Sequence, residues 1–146
     1  MYYMVFRIVT DTAGSHIKEL AKELSGFLEP KITKKYSNID VSILIAFRCL
    51  PESYNRKTFI RYQKKDRCLI IDISVKLEDY TEMYKVEQRF HLGNIFIEYL
   101  KQALENRSIA GIDSKVFIED ILKWGSETNA GNWFCNEIDW SSDVEW

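Results

Sequence analysis

Glu87 and His91 stand four residues apart in a helix-like stretch, a spacing that places both side chains on one helical face. Such a pair could offer two ligands to a metal ion or share a proton in acid–base work. No second His, Cys, Asp or Glu cluster of recognisable spacing accompanies it, so an ordinary helix pair is the plainer reading. Cys49 could serve as a nucleophile with a histidine distant in sequence, His16 or His91. Its place at the end of an apolar strand reads instead as a small buried hydrophobe. Cys49, Cys68 and Cys135 are odd in number and widely spaced. That pattern reads as free thiols in a reducing compartment, with no disulfide framework and no C-x-x-C zinc pair. The sequence has no G-x-S-x-G elbow, no phosphate-binding glycine loop and no H-E-x-x-H pattern. The expectation is a protein that is not an enzyme and holds no metal or cofactor.

Two charged stretches remain. Between Arg48 and Arg67 lie Arg56, Lys57, Arg61, Lys64 and Lys65, opposed only by Glu52 and Asp66 and interleaved with Tyr54, Phe59 and Tyr62. The hairpin 56–67 could track phosphates and stack bases. The plainer reading is an edge hairpin whose cations discourage strand pairing. A net charge of −2 also argues against a general nucleic-acid coat or membrane-surface protein. From Gly125 to Trp146 there is no lysine or arginine, but there are five acids: Glu127, Glu137, Asp139, Asp143 and Glu145. The same stretch holds Trp133, Phe134, Trp140 and Trp146. A disordered solvating tail would be poor in aromatics. Tryptophan anchors and clustered acids suit recognition of a basic protein surface, such as the substrate-binding face of a nuclease. The candidate partner-binding residues are therefore Trp133, Phe134, Glu137, Asp139, Trp140, Asp143, Glu145 and Trp146. Trp133, Phe134 and Trp140 could equally fold back over the sheet or a helix end, and the two readings are compatible.

These residues must be carried by one domain of 146 residues, 46% of them hydrophobic, enough to fill a core. The spacing predicts a strand over 2–9 and a helix over 15–28, with Pro30 blocking its continuation. A strand over 39–48 and a hairpin of strands 57–62 and 67–75 follow. A long helix over 78–106 buries the stripe Met83, Val86, Phe90, Gly93, Ile97, Leu100 and Leu104. Gly93 in that stripe would allow close packing on the sheet. Leu92 and Phe96, with Tyr2 and Tyr3, would then be free for a dimer face. Asp113 can cap a last helix that Gly125 ends. The order is β-α-β-β-β-α-α plus a C-terminal tail. Three consecutive strands on short loops imply a meander, hence an α+β fold with one mostly antiparallel four-stranded sheet and helices on one face. Residues 1–125 form the core domain, and 126–146 form an acidic aromatic tail packed on it. The N-terminus shows no signal-peptide pattern and no apolar run could span a bilayer, which predicts a cytoplasmic protein.

The stretch Arg48-Cys49-Leu50-Pro51-Glu52-Ser53-Tyr54-Asn55-Arg56-Lys57-Thr58-Phe59 continues through Tyr62-Gln63-Lys64-Lys65-Asp66 to Leu69-Ile70-Ile71-Asp72-Ile73-Ser74, and Met83-Tyr84-Lys85-Val86-Glu87-Gln88-Arg89-Phe90 follows. Over roughly residues 40–105 the chain resembles small bacterial immunity proteins of polymorphic toxin systems, including contact-dependent growth inhibition. The resemblance carries no catalytic motif and transfers no site residue. It implies a cytoplasmic protein that binds and neutralises one cognate toxin domain, without a membrane and with nucleic acid as the lesser alternative through hairpin 56–67.

Overall fold

The computed structural model describes residues 5–11, 16–49, 59–128 and 133–134. Strand β1 (Phe6–Thr10) leads into helix α1 (His16–Lys35), then strands β2 (Ser42–Arg48), β3 (Phe59–Gln63) and β4 (Cys68–Ser74). A 3-10 turn (Leu77–Tyr80) precedes helix α2 (Lys85–Asn106), and helix α3 (Ser114–Ser126) follows. The strand order is β1-β2-β4-β3. β1 pairs with β2, and β2 with β4, in parallel; only β3 and β4 are antiparallel.

The sheet is thus mixed and mostly parallel, which corrects the meander expected from the sequence. The cause lies in the connections. Helix α1 returns the chain to the end where β1 began, so β2 must run beside β1 in the same direction. Ten residues separate β2 from β3, too many for a tight hairpin. They let β3 skip one strand position, a gap of roughly 10 Å. A turn then brings β4 back into that gap, with Arg67 at φ 49 in the left-handed region. The sequence of β4, with Leu69-Ile70-Ile71 unbroken and Ile73 beyond, is that of an interior strand buried on both faces.

Alternation decides which side chains meet the helices. Phe6, Ile43, Leu69 and Tyr62 form one row across the sheet, and Ile8, Ile45, Ile71 and Ile60 the next. These rows pack in one cluster with Leu20, Leu24 and Leu28 of α1, Leu92, Phe96 and Leu100 of α2, and Phe117 and Ile121 of α3. Pro30 lies inside α1 and does not end it. Its cost of about 3 kcal/mol is offset by the burial of Ile32 and Tyr36 beyond it. On α2 the buried stripe is Leu92, Gly93, Phe96, Ile97, Leu100 and Leu104, while Val86 is exposed. Leu92 and Phe96 are therefore core residues and supply no dimer face. Asp113 caps α3 as the sequence predicts, accepting from the amides of Lys115 and Val116 at 3.0 and 3.2 Å. Gly125 lies buried within that helix and does not terminate it.

Polar ties lock the helix layer. Arg89 of α2 pairs with Glu23 of α1 at 2.8 Å. Tyr36 donates to Asp120 at 2.8 Å, and Lys35 pairs with the same carboxylate. Burial alone would raise the Asp120 carboxyl, but the Lys35 and Tyr36 bonds and the Lys35 and Lys123 charges hold it below its ordinary 3.8. A carboxyl depressed in the fold stabilises above its unfolded value, and that contribution is lost as pH falls through the folded value. Acid unfolding should therefore steepen below about pH 4, and Asp120→Asn should flatten that part of the curve. Equal acid slopes for the two proteins in denaturant titrations would refute the assignment.

Candidate functional site

The root of the acidic segment is fixed by two helical glycines. The Trp133 amide donates to the Gly125 carbonyl at 3.0 Å. A Cβ on Gly93 would stand 2.5 Å from the Trp133 carbonyl oxygen, and one on Gly125 would stand 2.1 Å from a ring carbon of Phe134. Only a side chain of hydrogen leaves room for this dipeptide. Gly93 therefore serves the Trp133–Phe134 segment, whereas the sequence suggested that it serves the sheet. Trp133 is 0% exposed and Phe134 1%. The Trp133 indole donates its Nε1 hydrogen to Glu23 Oε1 at 3.3 Å, the oxygen that also receives Arg89. Phe27 packs against the indole with ring centroids 6.0 Å apart. Phe134 stacks on Phe96, and Phe96 meets Phe6 edge-on, both at 6.3 Å. An aromatic line thus runs from the tail root to β1.

In the free protein, then, these two of the eight sequence-predicted contact residues are buried in the core. Glu137, Asp139, Trp140, Asp143, Glu145 and Trp146 lie outside the described residues. The socket was signalled in the sequence by a glycine in each of two apolar helical stripes, but not by anything that named its occupant.

The other face of the sheet carries a different chemistry. Register places Arg7, Leu44, Ile70 and Arg61 in one row across all four strands, and Val9, Ala46, Asp72 and Phe59 in the next. Arg48 pairs with buried Asp72 at 3.0 Å. Arg7, Arg61 and Phe59 are exposed. Cys68 lies on this face half-buried, and burial, with the charge of Asp66, raises its thiol against the opposing charge of Arg61. It is therefore a poor nucleophile at neutral pH. Sequence reading missed this surface because its arginines come from separate strands, and only register shows them in one row.

The basic hairpin is less well built for bases. Phe59 and Tyr62 point to opposite faces of β3. Tyr62 is stacked by Arg107 at 3.6 Å, and Arg67 pairs with Asp40. Tyr54, Arg56 and Lys57 lie outside the described residues.

The Glu87–His91 pair is also committed. Glu87 Oε1 accepts the Tyr84 amide at 3.2 Å, closing the N-terminus of α2. His91 Nδ1 lies 2.6 Å from the Tyr80 hydroxyl. Burial, with the charges of Cys49 and Asp79, pushes the Tyr80 phenol far above its ordinary value, so it stays protonated. Cys49 is buried beside Thr10 and donates its backbone N–H to Asp11 at 2.7 Å. Among the described residues no group of three or more His, Cys, Asp or Glu could hold a metal, and no helix is long and apolar enough to cross a membrane.

No curated protein and no solved structure matches the sequence. The family model of immunity protein 44 matches residues 4–127, which take in the four strands and three helices of the described residues and stop before Trp133. The chain belongs to the immunity protein 44 family.

Proposed function

We propose that this protein binds one cognate toxin domain directly and neutralises it by occupying a basic working face, without chemistry of its own. Family membership supports the immunity role. The observation that supports a part for the tail is the socket. Trp133 and Phe134, which precede four of the five acids in the sequence, are held by α1, α2 and α3. In this reading Glu137, Asp139, Trp140, Asp143, Glu145 and Trp146 touch the toxin, and Trp133 and Phe134 position them. If the toxin is a nuclease, the carboxylates stand where substrate phosphates would lie. The protein would act in the cytoplasm of the producing cell, as part of a polymorphic toxin or contact-dependent growth inhibition system.

Calorimetric titration with the C-terminal domain of the large protein encoded immediately upstream tests the reading. The full chain should bind one-to-one with nanomolar affinity and abolish that domain's toxicity. A chain ending at Phe134 keeps every buried residue named above. It should melt like the full chain and bind on the order of 100-fold more weakly. Unchanged affinity would remove the tail from the interface, and no binding by the full chain would remove the immunity mechanism itself.

A further inference from the structure

Among the described residues, the exposed large apolar side chains are Val5, Phe59, Tyr84, Val86 and Val116. The two most exposed, Tyr84 at 79% and Val86 at 50%, stand two residues apart at the start of α2. Half-buried Met83 precedes them. Apolar groups gathered in water on a folded element, with charged residues around them, mark a contact surface. The backbone under the patch is fixed. Tyr84 donates its amide to Glu87 at 3.2 Å, and its carbonyl accepts the Gln88 amide at 2.9 Å. The buried side chain of Gln88 donates to the carbonyls of Tyr80 at 2.9 Å and Met83 at 3.4 Å. A glutamine inside the fold thus holds the turn that presents the tyrosine. Beside it opens a cleft of about 400 Å³, lined by Leu20, Tyr80, Met83 and Gln88 together with Glu19 and Lys85.

The charge around the patch is negative in excess. Residues 76–87 hold Glu78, Asp79, Glu82 and Glu87 against Lys76 and Lys85, all of them exposed. Glu19 of α1 adds a fifth acid across the cleft. Glu87 serves the helix start, but Glu78, Asp79 and Glu82 enter none of the ion pairs of the described residues. We propose that this acidic aromatic patch on the body of the fold is where a basic face of the toxin docks, with Tyr84 as the anchor. The proposal rests on the toxin-binding reading, and the patch lies inside the family-matched residues 4–127. The unpaired carboxylates attract a cationic partner and repel nucleic acid. A second copy of this chain fits poorly, because a two-fold contact sets like residues face to face and would press these acids together. An apolar centre within a charged rim is the make-up of a protein interface, where tyrosine is enriched. A tyrosine on a backbone already fixed has little freedom left to lose on binding.

The experiment measures affinity and association rate for the same toxin domain with four full-length proteins: the wild type, Tyr84→Ala, the neutralised triple Glu78→Gln/Asp79→Asn/Glu82→Gln, and Val116→Ala as the control on α3. Tyr84→Ala should weaken binding on the order of 30- to 100-fold, chiefly through faster dissociation. The triple variant should associate on the order of 10-fold more slowly at low salt and depend less on salt. Val116→Ala should bind like the wild type. Melting temperatures should be unchanged, because every substituted side chain is exposed. Wild-type binding that neither Tyr84→Ala nor the triple variant weakens would overturn the patch and leave the toxin reading standing. Failure of the wild type to bind would overturn both. An equal loss in Val116→Ala would overturn Tyr84 as the anchor, and unaltered association in the triple variant would overturn the basic face as the occupant. A dimer of this chain that Tyr84→Ala dissolves, with toxin affinity unaltered, would also overturn the proposal.

Discussion

Replacing Trp133 with alanine should destabilise the protein by about 3–5 kcal/mol and lower its melting temperature by roughly 10 °C. The indole is fully buried, and its removal leaves a void beside Phe27 together with a Glu23–Arg89 pair that has lost one donor. The glycines make the same point from the other side. A methyl group at Gly125 cannot coexist with the Phe134 ring 2.1 Å away. Gly125→Ala should therefore cost about 2–4 kcal/mol, the roughly 3–5 kcal/mol lost on displacing Phe134 less about 1 kcal/mol gained from alanine's helix propensity. Because the penalty acts through Phe134, Gly125→Ala and Phe134→Ala should be strongly non-additive, the double variant being little worse than Phe134→Ala alone. Gly26 is the control. A Cβ there meets nothing within 4 Å, so Gly26→Ala should be neutral or stabilise by up to about 1 kcal/mol. Urea unfolding followed by tryptophan fluorescence reads all of these. A cost below about 1 kcal/mol for Trp133→Ala would mean that the socket is not part of the cooperative fold.

The local reading of the chain was clearest where one periodicity ran without competition. The α3 cap at Asp113, the hairpin turn before β4 and the apolar face of β2 were legible because each depends on neighbours in sequence. Pairing direction was not, because it depends on whether β3 fills the position next to β2 or the one beyond it. The unbroken Leu69-Ile70-Ile71 of β4 was the available sign of an interior strand. The helix stripe was right at Gly93, Ile97, Leu100 and Leu104 and failed at its N-terminal end, where Val86 is exposed, and at Leu92 and Phe96, which are buried. Tyr80 closes a separate 3-10 turn and α2 begins only at Lys85, where Glu87 receives the Tyr84 amide. Gly93 drew attention as a cost in a helix, but its reason lies forty residues onward in Trp133, a contact that no local pattern announces.

The surfaces divide along the same line. The acidic segment is a compositional feature, so the sequence shows it at once. The arginine row is a feature of register, contributed by strands far apart in the chain and revealed only when β1 and β3 are known to be the two edges. The acidic segment and the Tyr84 patch also differ in what a mutation would disturb. The root of the tail is woven into the core, so substitutions at Trp133 mix folding with binding. Tyr84 is exposed, so its substitution should separate the two.

Arg48→Met is the second substitution expected to act strongly, because it tests whether the face of the sheet away from the helix layer is held together by charge. Asp72 is only 5% exposed and its carboxylate pairs with Arg48 at 3.0 Å. Removing the arginine leaves an uncompensated buried carboxylate, a change that costs about 3–5 kcal/mol for fully buried pairs. Arg48 is about one-third exposed, so water will repay part of that, and a loss of about 2–3 kcal/mol is expected. The attraction itself is worth much less than this loss. Removing both charges with Arg48→Met/Asp72→Leu should therefore recover most of the stability, since a buried pair can often be replaced by apolar side chains at little cost. Denaturant unfolding of the two single variants and the double closes the cycle. If the double variant is as unstable as Arg48→Met alone, the pair contributes through packing of the arginine stem and not through neutralising Asp72.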